Sequence, residues 1–253
     1  MRILWTIVTA ALCTSMSVAA EASFTEAQKQ EIQNIVHQYL VQNPTVLMEA
    51  SQALQKQTQD KMATQAKTAI VKEAALIFVD PLTVVGNPKG KVTLVEFFDY
   101  QCIHCKKMAP TLENLVAKNK DLRVIYKEFP IFGKSSEVAS RAALAAAMQG
   151  KYLALHDALI KDDKHLSDKS VMDLAQKAGL NMEQLKKDMN GKTVTDQLAA
   201  TRQLAEKLYL MGTPAIIIAA TPDGQWKAGA EPTFLPGAAS EETLQAIIQK
   251  AGA

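Results

Sequence analysis

The spacing of apolar residues changes along the chain and divides it into regions. From Thr25 to about Phe78 the apolar residues recur at helical spacing but sparsely, among many Ala, Gln and Lys residues. Thr25 followed by Gln28 has the capping-box pattern that starts a helix, and Asn43-Pro44 predicts the start of a second helix. A long helix with so few apolar positions commonly packs against a copy of itself or bridges two bodies. We therefore expect self-association, with a helix lying on its own domain as the alternative.

A strand–helix–strand pattern follows this helical region. Asp80-Pro81 breaks the long helix, and a Gly- and Pro-rich loop follows. Val92 to Phe98 is then rich in β-branched and aromatic residues, which predicts a buried strand. The spacing after it predicts a helix to Lys118, and Leu122 to Phe129 forms the next predicted strand.

Residues 135–210 are almost entirely helical in pattern. Helix starts are predicted near the following residues: Ser135, Tyr152, Ser167, Asn181 and Thr193. Strand pattern returns at Ala215 to Ala219. Asp223-Gly224 then predicts a hairpin turn, with Trp226 in the second strand.

A C-terminal amphipathic helix is predicted to begin near Ser240, after Pro236-Gly237. The order of elements therefore predicts an α/β fold. It is a split sandwich of sheet and helices, with a helical insert at about 135–210 and a helical extension at its N-terminus.

Composition and charge narrow the class of protein. Hydrophobic residues make up 48% of the 253 residues and charged residues 21%, a balance typical of one sizeable globular domain with an appendage. The formal net charge of +2 gives no indication of a nucleic-acid partner. Arg2, an apolar stretch and the small residues near Ala20 are typical of a secretory signal peptide, which we place at residues 1–22. We expect an exported protein.

Cys102-Ile103-His104-Cys105 carries the candidate chemistry. The third cysteine, Cys13, lies within the predicted signal, so the exported chain would keep these two alone. A pair at this spacing in an oxidising compartment is most simply a working disulfide. The alternative is a structural staple, but closing so short a loop restrains the unfolded chain very little.

The predicted position of the pair favours a reactive thiolate. Cys102 falls where a strand gives way to a helix, and unpaired backbone N–H groups at a helix N-terminus favour negative charge. Cys105 lies on the same side but deeper, which suits a resolving thiol. His104 can add positive charge or a hydrogen bond to the thiolate, which would make the disulfide a stronger oxidant.

The segment EFFDYQCIHC, from Glu96 to Cys105, resembles the thioredoxin superfamily, and most closely its DsbA-like periplasmic branch. Met211-Gly212-Thr213-Pro214-Ala215 is similar to the second signature of that family, a cis-proline loop that faces the cysteines. The resemblance covers roughly residues 80–253. It implies a thioredoxin-like fold with an inserted helical domain, and residues 23–79 as a helical oligomerisation arm.

The resemblance also implies roles for single residues. It makes Cys102 the nucleophile and Cys105 the resolving cysteine, and it makes Pro214 a cis-proline beside which Thr213 offers backbone hydrogen bonds to a substrate peptide. Glu96 matches a buried acidic position, from which a carboxyl group with a raised pKa could shuttle a proton to or from the resolving cysteine.

Lys127, at the end of the neighbouring strand, is the expected partner of that carboxyl group.

Two departures from the family pattern bear on the direction of the reaction. The residues between the cysteines are Ile103 and His104, where the best-known oxidase has Pro-His. Thr213, before the proline, is more similar to the isomerases than to the strongest oxidases.

The expected function is a periplasmic thiol:disulfide oxidoreductase that introduces disulfides into newly exported proteins, with no cofactor. Its expected partners are substrate proteins with thiols, a membrane protein that reoxidises it and a second copy of the chain, with a dimer favoured over a trimer. The alternatives are a disulfide isomerase or reductase held in the reduced state, and a copper-binding protein using Cys102, His104 and Cys105.

Overall fold

The computed structural model describes residues 24–252, apart from the side chains of Gln59 and Ala63. The described chain divides into two compact units, one ending at Gln57 and the other beginning at Thr58. The predicted signal peptide, residues 1–22, lies outside the described residues.

The first unit is helical. Helix α1 spans Glu26–Gln42, and the predicted capping box of Thr25 and Gln28 is present at its start. No residue of α1 is buried, although it carries several large apolar side chains. Helix α2 spans Thr45–Ile77, so its first turns lie in this unit and the remainder lies in the second.

Within residues 24–252, five strands form one sheet in the order β1-β3-β2-β4-β5. Strands β2 and β3 pair in parallel, whereas the other neighbours are antiparallel. The bounds are β1 Val84–Gly86, β2 Val92–Phe98, β3 Leu122–Glu128, β4 Ala215–Ala220 and β5 Thr233–Pro236. The two central parallel strands are buried along their whole length, because apolar side chains cover both faces of the sheet.

The remaining helices lie where the apolar spacing predicted them, to within a few residues at their ends. Their bounds are α3 Ile103–Lys118, α4 Lys134–Ala147, α5 Tyr152–Ile160, α6 Asp168–Lys177, α7 Met182–Met189, α8 Lys192–Lys207 and α9 Glu241–Gly252. The inserted helices α4 to α8 follow β3 and precede β4, which confirms the predicted insert.

Alternation along the strands sends side chains into two apolar clusters, one on each face of the sheet. Leu94 and Phe98 of β2 pack into the first cluster, with α3, α9 and helices of the insert. Val95 and Phe97 pack into the second cluster, with α8 and the end of α2. This alternation decides which charged residues of the central strands can meet.

The end of α2 belongs to the core of the second unit. Ile70, Ala74 and Ile77 are at most 1% exposed and lie in the second cluster, next to Phe78. The sequence assigned the whole of residues 23–79 to an arm, but for this part of α2 the alternative interpretation holds: the helix lies on its own domain. The assignment of the residues before Thr58 to an oligomerisation arm stays a prediction.

The predicted hairpin is wrong. Asp223 and Gly224 lie in a 3₁₀ turn, and the strand that pairs with β4 is β5, farther along the chain. Gly224 has a φ of +73°, and a Cβ there would lie 2.2 Å from the carbonyl oxygen of Pro88, so the turn packs against another loop. Trp226 stacks on Phe78, with ring centroids 5.1 Å apart, so its apolar character serves packing between loops.

Candidate active site

Cys102 is the N-cap residue of α3, directly after β2 and a short connecting turn. Its backbone N–H donates to the carbonyl oxygen of Asp99. The Asp99 carboxylate accepts hydrogen bonds from the backbone N–H groups of Gln101 and Ile131 and from the Ser136 hydroxyl, each 2.7 Å long. Asp99 therefore holds the turn before Cys102 against the loop before α4, a role that the sequence did not reveal.

The two signatures of the sequence meet at the thiol of Cys102. The Thr213–Pro214 peptide bond is cis, as the resemblance implied. The Cys102 thiol donates to the carbonyl oxygen of Thr213 across 3.3 Å. Both Cys102 and Cys105 are free thiols in this structure and are at most 3% exposed. The chain thus brings Cys102 and the cis-proline loop into direct contact from positions more than 100 residues apart.

The two cysteines differ in their acidity. The Cys105 thiol, the nearby Thr213 side chain and the backbone N–H groups of Cys105 and His104 together outweigh burial and lower the pKa of Cys102 to about 5. The pKa of Cys105 moves in the opposite direction, because its hydrogen bond to Cys102, its burial and the nearby Glu96 carboxyl all disfavour its thiolate. Cys102 is therefore the thiolate at neutral pH, and Cys105 keeps its proton.

Glu96 lies on the central strand β2 and is only 2% exposed. Burial is the main cause that raises its pKa well above its ordinary value, and the charges of Cys102 and Glu128 raise it further. Its Oε1 atom has no hydrogen-bond partner among the residues described. A buried carboxyl oxygen without a partner is more stable in the neutral acid, so the surroundings of Glu96 favour its protonated form.

The predicted pairing of Glu96 with Lys127 is wrong. Glu96 lies opposite Tyr126 in the register of β2 and β3, so Lys127 points to the other face of the sheet. There the Lys127 ammonium group pairs with Asp80 across 3.1 Å and donates to the carbonyl oxygen of Val79. The ion pair fixes the segment that follows α2 and lies outside the redox chemistry.

A second buried carboxyl group, Glu128, lies at the end of β3 and was missed by the sequence. Tyr100 and Tyr152 donate to its Oε1 atom across 2.9 and 2.8 Å. Tyr100 also contacts His156 Nδ1 at 3.0 Å. The only indication in the sequence was that an acidic residue lies within a strand whose residues are predicted to be buried.

The side chains between the cysteines face outwards. His104 is exposed, and Ile103 is 60% exposed. Within the described chain, His104 contributes to the Cys102 thiolate through its backbone N–H, not through its ring. The imidazole of His104 therefore faces solvent.

An apolar groove of about 610 Å³ adjoins the cis-proline loop. Its walls come from Tyr209 to Ala215, from Phe234, Pro236 and Gly237 around the end of β5, and from Met62 and Ala66 of α2. Met211 at its rim is 79% exposed. The groove therefore offers an apolar surface directly beside Thr213 and Pro214.

Residues 24–252 contain no group of three or more His, Cys, Asp and Glu side chains placed to hold a metal ion. In the same residues no helix has both the length and the apolar character needed to cross a membrane.

The sheet, the inserted helices and a dithiol beside a cis-proline define a thioredoxin-like protein. The DSBA-like thioredoxin domain family matches residues 93–249, which is more than half of the chain. The chain belongs to this family. A second family, the copper resistance protein ScsC N-terminal domain, matches residues 28–61.

Two solved structures resemble the chain over nearly its whole length. Salmonella enterica Typhimurium BcfH is 31% identical, with a TM-score of 0.69, and the match covers 90% of this chain and 97% of that one. Proteus mirabilis ScsC in a transitional conformation is 30% identical, with a TM-score of 0.63 and coverage of 90% and 98%.

Curated relatives match a smaller part. The thiol:disulfide interchange protein DsbA of Pseudomonas syringae pv. tomato is 26% identical over 163 residues, which cover 62% of this chain and 75% of that protein. The Na(+)/H(+) antiporter NhaA 3 of Salinispora tropica is 23% identical over 137 residues, and the match spans only 21% of the antiporter.

Proposed function

We propose that the protein is a periplasmic thiol:disulfide oxidoreductase that donates the Cys102–Cys105 disulfide to newly exported proteins. The observation that carries this proposal is the opposite acidity of the two cysteines at the contact with Thr213. A thiolate as stable as that of Cys102 is a good leaving group, and stabilising the reduced form makes the disulfide oxidising. The similarity to the Pseudomonas DsbA and the signal-like pattern of residues 1–22 support the same function and compartment.

The first step forms a mixed disulfide. A substrate thiolate attacks the Sγ atom of Cys102, the Cys102–Cys105 bond breaks, and the electron pair leaves on Cys105. Because the surroundings of Cys105 disfavour its thiolate, this sulfur takes up a proton at once. In this proposal Glu96, a buried neutral acid, donates that proton.

The second step releases the product. The second thiolate of the substrate attacks the substrate sulfur of the mixed disulfide, and Cys102 leaves as a thiolate. Two electrons have then moved from the substrate dithiol to the cysteine pair, and the substrate carries the disulfide. A membrane partner must withdraw those electrons before the next cycle.

Substrates bind in this proposal as extended peptides beside Thr213 and Pro214. The backbone of Thr213 offers hydrogen bonds that do not depend on the side chains of the substrate. The adjoining apolar groove accepts the apolar side chains of an unfolded protein. Such a surface suits many unfolded partners and no single folded one.

Replacing Cys102 by Ser tests this function. The variant is expected to lose the oxidation of a reduced dithiol peptide completely. In Cys105→Ser the Cys102 thiolate should instead attack a peptide cysteine offered as its disulfide with glutathione, release glutathione and hold the peptide as a stable mixed disulfide. Mass spectrometry detects the oxidised peptide in the first assay and the mixed disulfide in the second. Activity of Cys102→Ser equal to that of the wild type would refute the function.

A disulfide isomerase is the second candidate function. Thr213 before the cis-proline and the helical segment before Thr58 favour it. Refolding of scrambled ribonuclease, with and without the residues before Thr58, separates the candidates. Recovery that depends on those residues supports isomerisation, whereas equal recovery in both forms supports disulfide donation.

A further inference from the structure

Glu128 is a buried titratable group that the mechanism above does not use. It is 2% exposed and ends β3, and its strand partner in the register is Phe98. Glu96 lies two positions before Phe98 on β2, so both carboxyl groups project to the same face of the sheet, as diagonal neighbours on adjacent strands. This face also carries the cysteines.

The hydrogen bonds of Glu128 lead directly towards Cys102. Its Oε1 atom accepts from Tyr152 on α5 and from Tyr100, two residues before Cys102. Because the Tyr100 hydroxyl has one proton and donates it to Glu128, its contact with His156 requires His156 to carry a proton on Nδ1. Burial lowers the pKa of His156 to about 3, so that ring is neutral.

The other oxygen of Glu128 is unsatisfied. Oε2 is buried and has no hydrogen-bond partner among the described residues, as is also true of Glu96 Oε1. Burial raises the pKa of Glu128 to about 8, because it outweighs the opposing effects of the Ser140, Tyr152 and Tyr100 side chains. Ionising both of these carboxyl groups on one face costs extra free energy, because each negative charge disfavours the other.

We propose, on the basis of the function above, that Glu128 is a positioning residue for disulfide exchange: it anchors the segment before Cys102 through Tyr100 and Tyr152, and it keeps the proton on Glu96. The mechanism needs Glu96 neutral when Cys105 leaves. A nearby Glu128 makes ionisation of Glu96 harder and so extends the pH range in which the proton is available.

Several other titratable groups face this pair. Those around Glu128 are Tyr100 and Asp99 from the turn after β2, Tyr126 from β3, and Tyr152 and His156 from α5. The pKa of each of the three tyrosines is raised by burial. Near Glu96 the cysteines and Tyr126 complete the set. The two glutamates are therefore the carboxyl groups of this cluster whose pKa values burial raises.

Glu128→Gln tests the proposal, because its amide oxygen can still accept from both tyrosines while the charge is removed. The proton of Glu96 is followed by NMR titration of its carboxyl carbon in the reduced full-length protein, with the signal assigned by Glu96→Gln. We expect the titration midpoint of Glu96 to move to lower pH in Glu128→Gln. The alkaline limit of the peptide-oxidation rate should move in the same direction.

Tyr152→Phe is the second variant, and Asp188→Asn is the matched control. Removing the Tyr152 hydroxyl disfavours the charged form of Glu128, so the midpoint of Glu96 should move down by less than in Glu128→Gln. Asp188 is a buried acid of α7 that bonds to Gln184, away from the cysteines, and its variant should leave the midpoint unchanged.

The outcomes separate this inference from the proposed function. If Glu128→Gln folds and oxidises peptide but the Glu96 midpoint stays in place, Glu128 is only structural and the inference is overturned. If the wild type fails to oxidise peptide while the midpoint still moves, the coupling stands and the proposed function fails. Should Glu128→Gln not fold, an unmoved midpoint in Tyr152→Phe overturns the inference instead.

Discussion

At the scale of single residues, the site works by giving chemically identical groups different surroundings. Cys102 sits at the first turn of α3 where backbone N–H groups and the Cys105 thiol converge on its sulfur. Cys105 is one turn farther in, beside a carboxyl group and away from those donors. The surroundings therefore stabilise the thiolate of Cys102 and disfavour that of Cys105, and this difference fixes the order in which the two sulfurs react.

The titration of Cys102 follows from these contacts. We predict that its thiolate forms with a midpoint near pH 5 in the reduced protein. In Cys105→Ala the midpoint should rise towards the ordinary value of a thiol, because the largest stabilising hydrogen bond is lost. Thiolate absorbance against pH measures both values. An unchanged midpoint in Cys105→Ala would mean that the backbone donors alone set the acidity.

Glu96→Gln tests the proton donor. The variant keeps the shape and the burial of the side chain but removes its acid, so formation of the mixed disulfide, in which Cys105 leaves, should slow by about 100-fold, a typical contribution of general acid–base catalysis. Stopped-flow measurement of single-turnover exchange records this rate. The release of product, in which Cys102 leaves as a thiolate, should change far less, and equal rates in both steps for the variant and the wild type would argue against the role.

Much of this site was predictable from the sequence because its residues are adjacent or belong to a short signature. The CIHC segment places both cysteines at a strand-to-helix junction, and Thr213-Pro214 belongs to the second family signature, the cis-proline loop. The pairing of Glu96 with Lys127 failed because the faces of two strands depend on their register, which the sequence does not display. Glu128 was missed because its partners come from α5 and from the turn after β2.

At the scale of elements, α2 has two characters in one helix. Its earlier turns expose their apolar residues, whereas Ile70 and Ile77 are buried against the sheet. Glu73 adds an ion pair of 3.1 Å to Lys207 of α8. The end of α2 is therefore a layer of the thioredoxin-like domain, and its apolar residues are sparse because only one narrow stripe of the helix is covered.

Ile77→Ala and Leu76→Ala form a matched pair on this helix. Ile77 is fully buried, so its truncation should lower the free energy of unfolding by about 2–5 kcal/mol. Leu76 is 55% exposed, and its truncation should change that free energy by at most about 0.5 kcal/mol. Urea denaturation followed by circular dichroism measures both. Similar losses of stability in the two variants would contradict the burial of Ile77 and the exposure of Leu76 in this helix.

The hairpin error has a physical cause at this scale. Asp223-Gly224 is a favourable turn sequence, but the same dipeptide serves any turn that needs a positive φ. Trp226 suggested a strand because aromatic residues favour sheets, yet its ring is used to cover Phe78. The short strand β1 was missed since three residues carry too little pattern to detect.

At the scale of the whole molecule, the fold was predictable because each region contained long periodic segments. The insert between the two signatures, the buried central strands and the C-terminal helix all lie where the sequence placed them. The arrangement of copies is a separate matter. Residues 28–61 match the ScsC N-terminal domain, and α1 exposes Ile35, Val36 and Tyr39, so self-association through this segment remains our prediction.

Deleting the residues before Thr58 tests that prediction without damaging the core, because Ile70 to Phe78 stay in place. We expect a dimer for the exported full-length chain and a monomer for the truncated one. Sedimentation equilibrium gives both masses, and circular dichroism checks that the truncated chain is folded. A truncated chain that remains a folded dimer would show that the interface lies elsewhere.

The central claim is that the Cys102–Cys105 pair donates disulfides, and the reduction potential of that pair tests it most directly. Equilibration with glutathione buffers of known ratio, followed by separation of the reduced and oxidised forms, gives the value. The low pKa of Cys102 predicts a potential near the strongly oxidising end, roughly −120 mV. A potential near or below roughly −200 mV would contradict the claim and assign the pair to reduction or isomerisation.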